Sequence, residues 1–246
     1  MYCHNSANWE AEVEIDDYSD SLLYQYAFQE TDKSVFHYEF GELRQIEFNI
    51  HRDEVAVFDN WRASYGDSPF TTAAFQDCFF KRDPYQMEVS NESGNLVLTI
   101  NCSQMEPNRH FAIVGNQTAL GNWDVLQKVR LDESRFPVWS IALDVAEINF
   151  PLEYKYLIID SVTDEVLAWG GGPNRVVETA DAAKLTIVND EHFIRTIPSW
   201  RGAGVAIPVF SLRSEKSFGV GEFADLKLMV DWAKKTGQRI IQTLPI

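Results

Sequence analysis

Trp139-Ser-Ile-Ala-Leu-Asp-Val145 alternates apolar and polar residues, and Trp9-Glu-Ala-Glu-Val-Glu-Ile15 does the same. A period of two is that of a strand with one buried face. The likeness continues beyond these stretches. Fifteen residues after each Trp comes a Tyr-X-Tyr, Tyr24-Gln25-Tyr26 in one case and Tyr154-Lys155-Tyr156 in the other. Each then runs through an acidic turn into a short apolar strand, Val35-Phe36 or Val166-Leu167. Each goes on to an arginine, in Arg44-Gln45-Ile46 or Arg175-Val176-Val177. The offset is 130 residues and slips to 131 across the turn.

Two copies of one small all-β module follow. Many short strands separated by turn signals predict an antiparallel sandwich or open barrel. In the second copy the strands are predicted at Leu96–Cys102, His110–Gly115, Pro137–Val145, Leu152–Ile159, Val166–Trp169 and Leu185–Val188. The first copy has no counterpart of Leu96–Lys128. This predicts a truncated module with an unpaired edge, whose natural start lies upstream or which is a fragment. Residues 60–90 join the copies. Their cluster of Phe70, Phe75, Phe79 and Phe80 is expected to pack against a module.

From Gly202 the pattern changes. Gly204-Val-Ala-Ile-Pro-Val-Phe-Ser-Leu212 reads as a buried strand, and a polar loop follows. Phe223, Leu226, Met229, Val230 and Ala233 fall at helical spacing, with Gly237 at the helix end. Arg239-Ile-Ile-Gln-Thr-Leu-Pro-Ile246 reads as a second buried strand. This is one parallel β-α-β unit. Gly219-Val-Gly-Glu-Phe-Ala224 fits G-x-G-x-x-A, but eight residues, Ser211 to Phe218, separate it from Phe210 and no acid follows at the distance a dinucleotide needs. A plain loop-to-helix turn is the better reading.

Composition narrows the function. The 246 residues carry 37 acids and 21 bases, a net charge of −16. That excess argues against nucleic acid and against anionic lipid. No apolar run approaches a membrane span. The charge is −10 over residues 1–82, −9 over 83–199 and +3 over 200–246. Its change of sign near Trp200 marks a boundary. Cys3, Cys78 and Cys102 are odd in number and form no CxxC, as in a reduced chain. With no basic and apolar leader in Met1–Glu10, a cytoplasmic location is expected. The N-x-S/T triplets at Asn91, Asn101 and Asn116 are then chance. The five histidines show no metal-ligand spacing, and no metal or cofactor is expected.

Leu120-Gly121-Asn122-Trp123, then Glu153-Tyr154-Lys155, then Trp169 with Pro173-Asn174-Arg175, resembles a starch-binding domain of carbohydrate-binding module family 20. Arg201–Arg213, Ser217-Phe-Gly-Val-Gly-Glu-Phe223 and Ile240-Ile-Gln-Thr-Leu-Pro245 resemble the start of the glycoside hydrolase family 77 barrel. Two starch-binding modules before that barrel resemble the large 4-α-glucanotransferases, or disproportionating enzymes. The resemblance implies a mainly β chain of tandem sandwich modules followed by the first β-α-β unit of a TIM-type barrel. It divides into a partial first module at 1–62, a connector at 63–85, a second module at 86–199 and the barrel start at 200–246.

The resemblance also assigns roles. Trp123, Lys155, Trp169 and Asn174 match the family's first glucan site. Indoles can stack on the apolar faces of glucose rings, and Lys and Asn can hydrogen-bond the hydroxyl rim. The partner would be a neutral α-glucan such as starch, glycogen or a malto-oligosaccharide, which a charge of −16 does not repel. A second family site would use Trp139, with Pro107 standing where one of its tyrosines would be. In the first copy Gln25 replaces Lys155, Tyr38 replaces Trp169 and Leu43 falls near Asn174, so weak or no glucan binding is expected there.

Each role has a competitor in packing. Trp123 and Trp169 could be core residues. Trp139 shares strand parity with Ile141, Leu143 and Val145, which puts core packing ahead of ligand contact. Lys155 lies outside if Tyr154 and Tyr156 lie inside. Glu10, Glu12, Glu14, Asp16 and Asp17 read as a solvated strand face. Glycosyl transfer with retention needs two carboxyl groups about 5.5 Å apart. Glu215, Glu222, Asp225 and Asp231 show no such pairing, and Ser211, Leu212 and Arg213 would face the completed barrel's active site without an assigned role. No residue here is expected to be catalytic, because the family's carboxylates lie beyond residue 246. The expected function is glucan binding for a parent transferase, with the chain itself inactive. The alternative is a non-catalytic glycogen- or starch-targeting adaptor.

Overall fold

The computed structural model describes residues 2–3, 9–15, 21–30, 34–41, 43–47, 54–62, 78, 94–106, 108–190, 193 and 201–244. The chain divides into two compact units, Met1–Ile197 and Pro198–Ile246. Phe70, Phe75, Phe79, Phe80, Pro107, Asp16 and Asp17 lie outside the described residues.

The first unit begins with β1 (Tyr2–Cys3), β2 (Trp9–Glu10), β3 (Ser21–Tyr24), β4 (Ala27–Gln29), β5 (Phe36–Tyr38), β6 (Arg44–Glu47) and β7 (Val55–Asp59). It continues with β8 (Leu96–Asn101), β9 (Arg109–Gly115), β10 (Val129–Arg130), β11 (Asp132–Arg135), β12 (Val138–Leu143), β13 (Leu152–Asp160), β14 (Val166–Trp169), β15 (Arg175–Val177) and β16 (Leu185–Asp190). The six predicted strands of the second copy are present to within a residue or two. The two-residue β10, the short β11 and β15 carry too little alternation to be read from sequence.

Two five-stranded sheets form the sandwich. One runs β11-β12-β8-β16-β7; the other runs β10-β9-β13-β14, with β15 also on β13. β16 is parallel to both β8 and β7, and the other pairings are antiparallel. Alternation along β12 turns Trp139, Ile141 and Leu143 inward, and β13 answers with Leu152, Tyr154, Tyr156 and Ile158. With Leu96, Leu98, Ile100, Phe111 and Ile113 they make one enclosed core. Each such side chain stabilises the fold by roughly 1.5–3 kcal/mol.

The repeat is visible in three dimensions. Tyr24 pairs with Arg44 across β3–β6 as Tyr154 pairs with Arg175 across β13–β15. Ala27 pairs with Tyr38 as Leu157 pairs with Trp169. The side chains repeat too. Asp59 accepts hydrogen bonds from Tyr24 Oη (2.7 Å), Tyr26 Oη (3.0 Å) and Arg44 Nη1 (2.8 Å). Asp190 accepts from Tyr154 Oη (2.7 Å), Tyr156 Oη (3.0 Å) and Arg175 Nη1 (2.8 Å). In each copy one carboxylate thus ties two alternate residues of a strand to an arginine on its neighbour. Burial pushes the Asp190 carboxyl above its ordinary range in spite of these donors.

The copies are joined by a strand pair. β7 runs parallel to β16, with Val55 opposite Leu185 and Asp59 opposite Asn189. Asn189 Nδ2 donates to Asp59 Oδ1 at 2.6 Å, while Asn189 Oδ1 accepts from Thr99 Oγ1 at 2.6 Å. The first copy also differs in one compensated place. Glu39 stands where the second copy has Gly170, and Arg62 where it has Phe193. A Cβ at Gly170 would lie 3.1 Å from the Phe193 ring, which packs on Phe111. Glu39 is instead buried and accepts from Arg44 Nη2 at 2.7 Å and Arg62 Nη2 at 3.1 Å. Burial raises its pKa, but these donors outweigh it and hold the carboxyl down at about 2.

The first copy does not bury what its alternation predicts. Trp9 and Val13 are exposed, and the strand there is only two residues long, paired to the equally short β1. Phe28 is exposed, whereas its counterpart Ile158 is enclosed beneath the facing sheet. Among the described residues no facing sheet covers β3–β6.

The second unit holds β17 (Gly204–Pro208), helix α1 (Asp225–Thr236) and β18 (Ile240–Leu244), with the strands parallel as predicted. β17 ends sooner than the apolar run, because Val209–Ser211 turns as a 3-10 helix. Gly237 closes α1 in the left-handed region (φ 73°), where its N–H reaches the Ala233 and Lys234 carbonyls.

Candidate functional site

Tyr154 and Tyr156 face the core, so Lys155, Leu157 and Ile159 face outward on β13. Outward-facing apolar residues need cover. The segment 118–128 supplies it, and Trp123 and Val125 pack on Ala112, Val114, Leu157 and Ile159. Trp123 is therefore half-buried, resting on the outer face of the sheet rather than inside the sandwich. Trp169 lies on β14 opposite Leu157 and is 39% exposed. Lys155 lies opposite Val114 on the same outer face. One sheet surface thus gathers Trp123, Lys155 and Trp169.

The loop that carries Trp123 is unusual. Gly121, Asn122 and Trp123 have φ of 74°, 49° and 64°, three left-handed residues in succession. For a bulky residue such as Trp this conformation is strained, and only surrounding contacts hold it. Those contacts are present. Asn122 N donates to Gln117 O (3.0 Å) and Asp124 N to Gly121 O (2.8 Å). Asp124 accepts from Leu126 N at 2.9 Å. A Cβ at position 121 would lie 2.5 Å from Gln127 O, so only glycine fits. Lys128 Nζ anchors the loop to Asp164 in the β13–β14 turn.

The polar members are also positioned. Lys155 Nζ donates to Gly172 O at 2.9 Å. Asn174 Nδ2 donates to Glu153 Oε2 at 3.1 Å, and Glu153 N is fixed by Asn116 Oδ1 at 3.0 Å. Glu153 and Gly172 are the positioning groups that sequence reasoning missed. Glu153 was in view beside Tyr154 and Lys155, but nothing in spacing ties it to Asn174. Trp123, half-buried, and Trp169, partly exposed, together with an amine and an amide suit a flat ligand with apolar faces and a rim of hydroxyls.

Trp139 is a correction. It is fully buried, its Nε1 donates to Cys102 O at 3.2 Å, and His110, Phe111 and Phe136 meet it edge-on. An enclosed ring cannot receive a ligand. Its parity with Ile141 and Leu143 was the signal that prevailed.

In the second unit Asp225 is buried at the head of α1 and accepts from Ser214 Oγ (2.5 Å), Ser217 Oγ (2.7 Å) and Glu222 N (2.9 Å). A Cβ at Gly221 would lie 2.1 Å from Val209 O. Gly221 serves chain packing, and the helix start already holds a carboxylate. An anion cradle does not fit there. Among the described residues no three His, Cys, Asp or Glu side chains could hold a metal.

Residues 95–188 match the starch binding domain family, and residues 207–246 match the family described as 4-alpha-glucanotransferase. One segment of the chain is thus similar to a starch binding domain and a later one to a 4-alpha-glucanotransferase. Among individual proteins it is similar to the 4-alpha-glucanotransferase DPE2 of Oryza sativa subsp. japonica, at 29% identity over 238 residues. That match covers 91% of this chain and 25% of the relative, so the chain spans about a quarter of the rice protein's length. A 4-alpha-glucanotransferase of Chlamydia caviae is 51% identical over 43 residues, 18% of this chain and 8% of that protein. The solved family 20 module of a maltotetraose-forming amylase from Pseudomonas saccharophila is 26% identical. It covers 38% of this chain and 97% of that one, with a TM-score of 0.31.

Proposed function

We propose that residues 86–199 capture α-glucan on the outer face of β9, β13 and β14. Trp123 and Trp169 stack on glucose rings, while Lys155 and Asn174 hydrogen-bond the hydroxyls and fix the register of the chain. The observation that carries this is the gathering of both indoles and Lys155 on one sheet surface, with neither ring sealed in the core. The parent protein is a 4-α-glucanotransferase. It breaks an α-1,4 bond, holds the glucosyl unit covalently and passes it to another glucan. The match over residues 207–246 supports this reading over a targeting adaptor. No carboxylate of this chain is assigned to that chemistry. Glucan capture raises substrate concentration beside the barrel even when each contact is weak. The cytoplasm is the proposed location, supported by three cysteines without a CxxC.

Calorimetric titration with maltoheptaose tests the site. The Trp123→Ala/Trp169→Ala chain should lose on the order of 100-fold in affinity, about tenfold per ring. Unchanged affinity overturns the site. Trp169→Ala alone, with an unchanged circular dichroism spectrum to show that it folds, should lose about tenfold.

A further inference from the structure

A further left-handed residue sits in the β13–β14 turn. Asp164 has φ of 63°, a conformation that Asp tolerates better than most side chains. The turn is built to hold it there. Asp160 Oδ1 accepts from Val162 N (2.9 Å) and Thr163 N (2.8 Å), and Asp164 N donates to Asp160 O at 3.0 Å. So placed, the Asp164 carboxylate reaches the far end of the segment that carries Trp123. Lys128 Nζ donates to its Oδ2, and Arg130 Nε (3.2 Å) and Nη2 (2.8 Å) both donate to its Oδ1. Arg130 Nη2 also donates to Ser161 O at 3.3 Å. Lys128, and after it Arg130, hold the Asp164 carboxyl below its ordinary range.

Lys128 is the link to the indole. Its side chain is only 6% exposed, and its Nζ also donates to Val125 O at 3.2 Å. Val125 packs beside Trp123 on the outer face of the sheet. A buried ammonium needs a counter-charge, and Asp164 supplies it. The other end of the segment is held without charge. Gln117 Nε2 donates to Asn149 O at 2.8 Å, and Gln117 O accepts from Asn122 N at 3.0 Å. Between these two anchors lie the three left-handed residues that turn the Trp123 ring. The hairpin that bears Asp164 carries Lys155 on β13 and Trp169 on β14. One carboxylate thus ties Trp123 to the hairpin that presents Lys155 and Trp169. The repeat agrees. The first copy has no counterpart of this segment, and at offsets of 130 and 131 from Asp164 it has Ser34 and Lys33.

We infer that Asp164 is a positioning residue for glucan capture: it locks the Trp123 segment to the β13–β14 hairpin and so fixes the two indoles relative to each other. It acts through Trp123 and not on the sugar. The inference rests on the reading of this surface as a glucan site. Without the carboxylate the Lys128 ammonium turns to water and Val125 loses its tether. Trp123 then has to be ordered during binding, and the lost pre-organisation lowers affinity. The ion pair is in direct contact and its ammonium is buried, so salt screens it little.

The test is calorimetric titration of the full chain with maltoheptaose, run as a double-mutant cycle. Asp164→Asn removes the charge and keeps a side chain suited to a left-handed φ. Asp164→Gly keeps that φ and removes the side chain. Each should weaken binding about fivefold, with an unchanged circular dichroism spectrum to show that it folds. In the Trp123→Ala chain Asp164→Asn should cost nothing more, whereas in the Trp169→Ala chain it should again cost about fivefold. Amide exchange at Asn122 and Asp124 should accelerate about tenfold in Asp164→Asn while β13 keeps its protection. A merely structural role would lower affinity by the same factor in every background. Native affinity in both Asp164 variants overturns the inference, and so does an equal loss with and without Trp123. A Trp123→Ala chain that binds like the wild type overturns the reading of the site itself, and this inference with it.

Discussion

At the residue scale, the left-handed run Gly121-Asn122-Trp123 decides where one indole points. The backbone there is strained, and the ring is turned onto Ala112 and Leu157 instead of into water. Gly121→Ala should break this arrangement without touching the indole. A methyl at position 121 meets Gln127 O at 2.5 Å and must also adopt φ 74°, so the loop has to move. Maltoheptaose affinity should then fall about tenfold, as it would if one stacking ring were withdrawn, while β13 keeps its hydrogen-exchange protection. Native affinity in this variant would show that the loop conformation is irrelevant to the site. Lys155 makes a second residue-scale point. Its ammonium is held by the Gly172 carbonyl, so its direction is set by the β14–β15 turn.

At the element scale, the recurring device is a carboxylate that pins two tyrosines of one strand and an arginine of the next. Asp59 and Asp190 do this with the same partners at the same distances. In the first copy Glu39 adds a further clamp on β6, and its depressed pKa gives that clamp a pH dependence. A carboxyl lowered in the folded state contributes stability above its unfolded value that is lost as pH falls through the folded one. For Glu39 the window runs from 4.5 down to about 2. Hydrogen exchange at Arg44–Glu47 should accelerate across that window, and Glu39→Gln should remove this component of the acid response. An identical acid profile in the variant would show that the ion pairs with Arg44 and Arg62 do not hold the element. Asp190 has the opposite sign. Its raised pKa means that ionisation opposes folding, so it contributes nothing to acid lability.

At the scale of the whole molecule, the net charge of −16 plays no part in the proposed capture. The ligand is neutral and the surface works through two rings, an amide and one amine. Raising salt from about 0.05 to about 0.5 M shortens the Debye length severalfold and should leave maltoheptaose affinity unchanged within about twofold. A steep loss with salt would point to an anionic partner instead. The parallel seam of β7 on β16 is also a property of the whole unit. Through Asn189 it connects the Asp59 cluster to Thr99 of the second copy, so the copies share one sheet.

Much of this was legible in the chain itself. Alternation along Trp139–Val145 and around Tyr154-Lys155-Tyr156 fixes which residues face inward, because a strand's side chains can only take turns between two faces. The repeat offset of 130–131 was likewise enough to pair Tyr38 with Trp169 and Gln25 with Lys155. Tertiary structure alone decided the rest. Alternation at Trp9–Ile15 predicted a buried face that no partner sheet covers among the described residues, since burial needs a second surface and not only a pattern. Three left-handed residues at Gly121–Trp123, the bond from Asn174 to Glu153 and the parallel join of β7 to β16 all depend on contacts between segments far apart in the chain. Local periodicity carries no record of such contacts, so they exist only once the sheets have closed on each other.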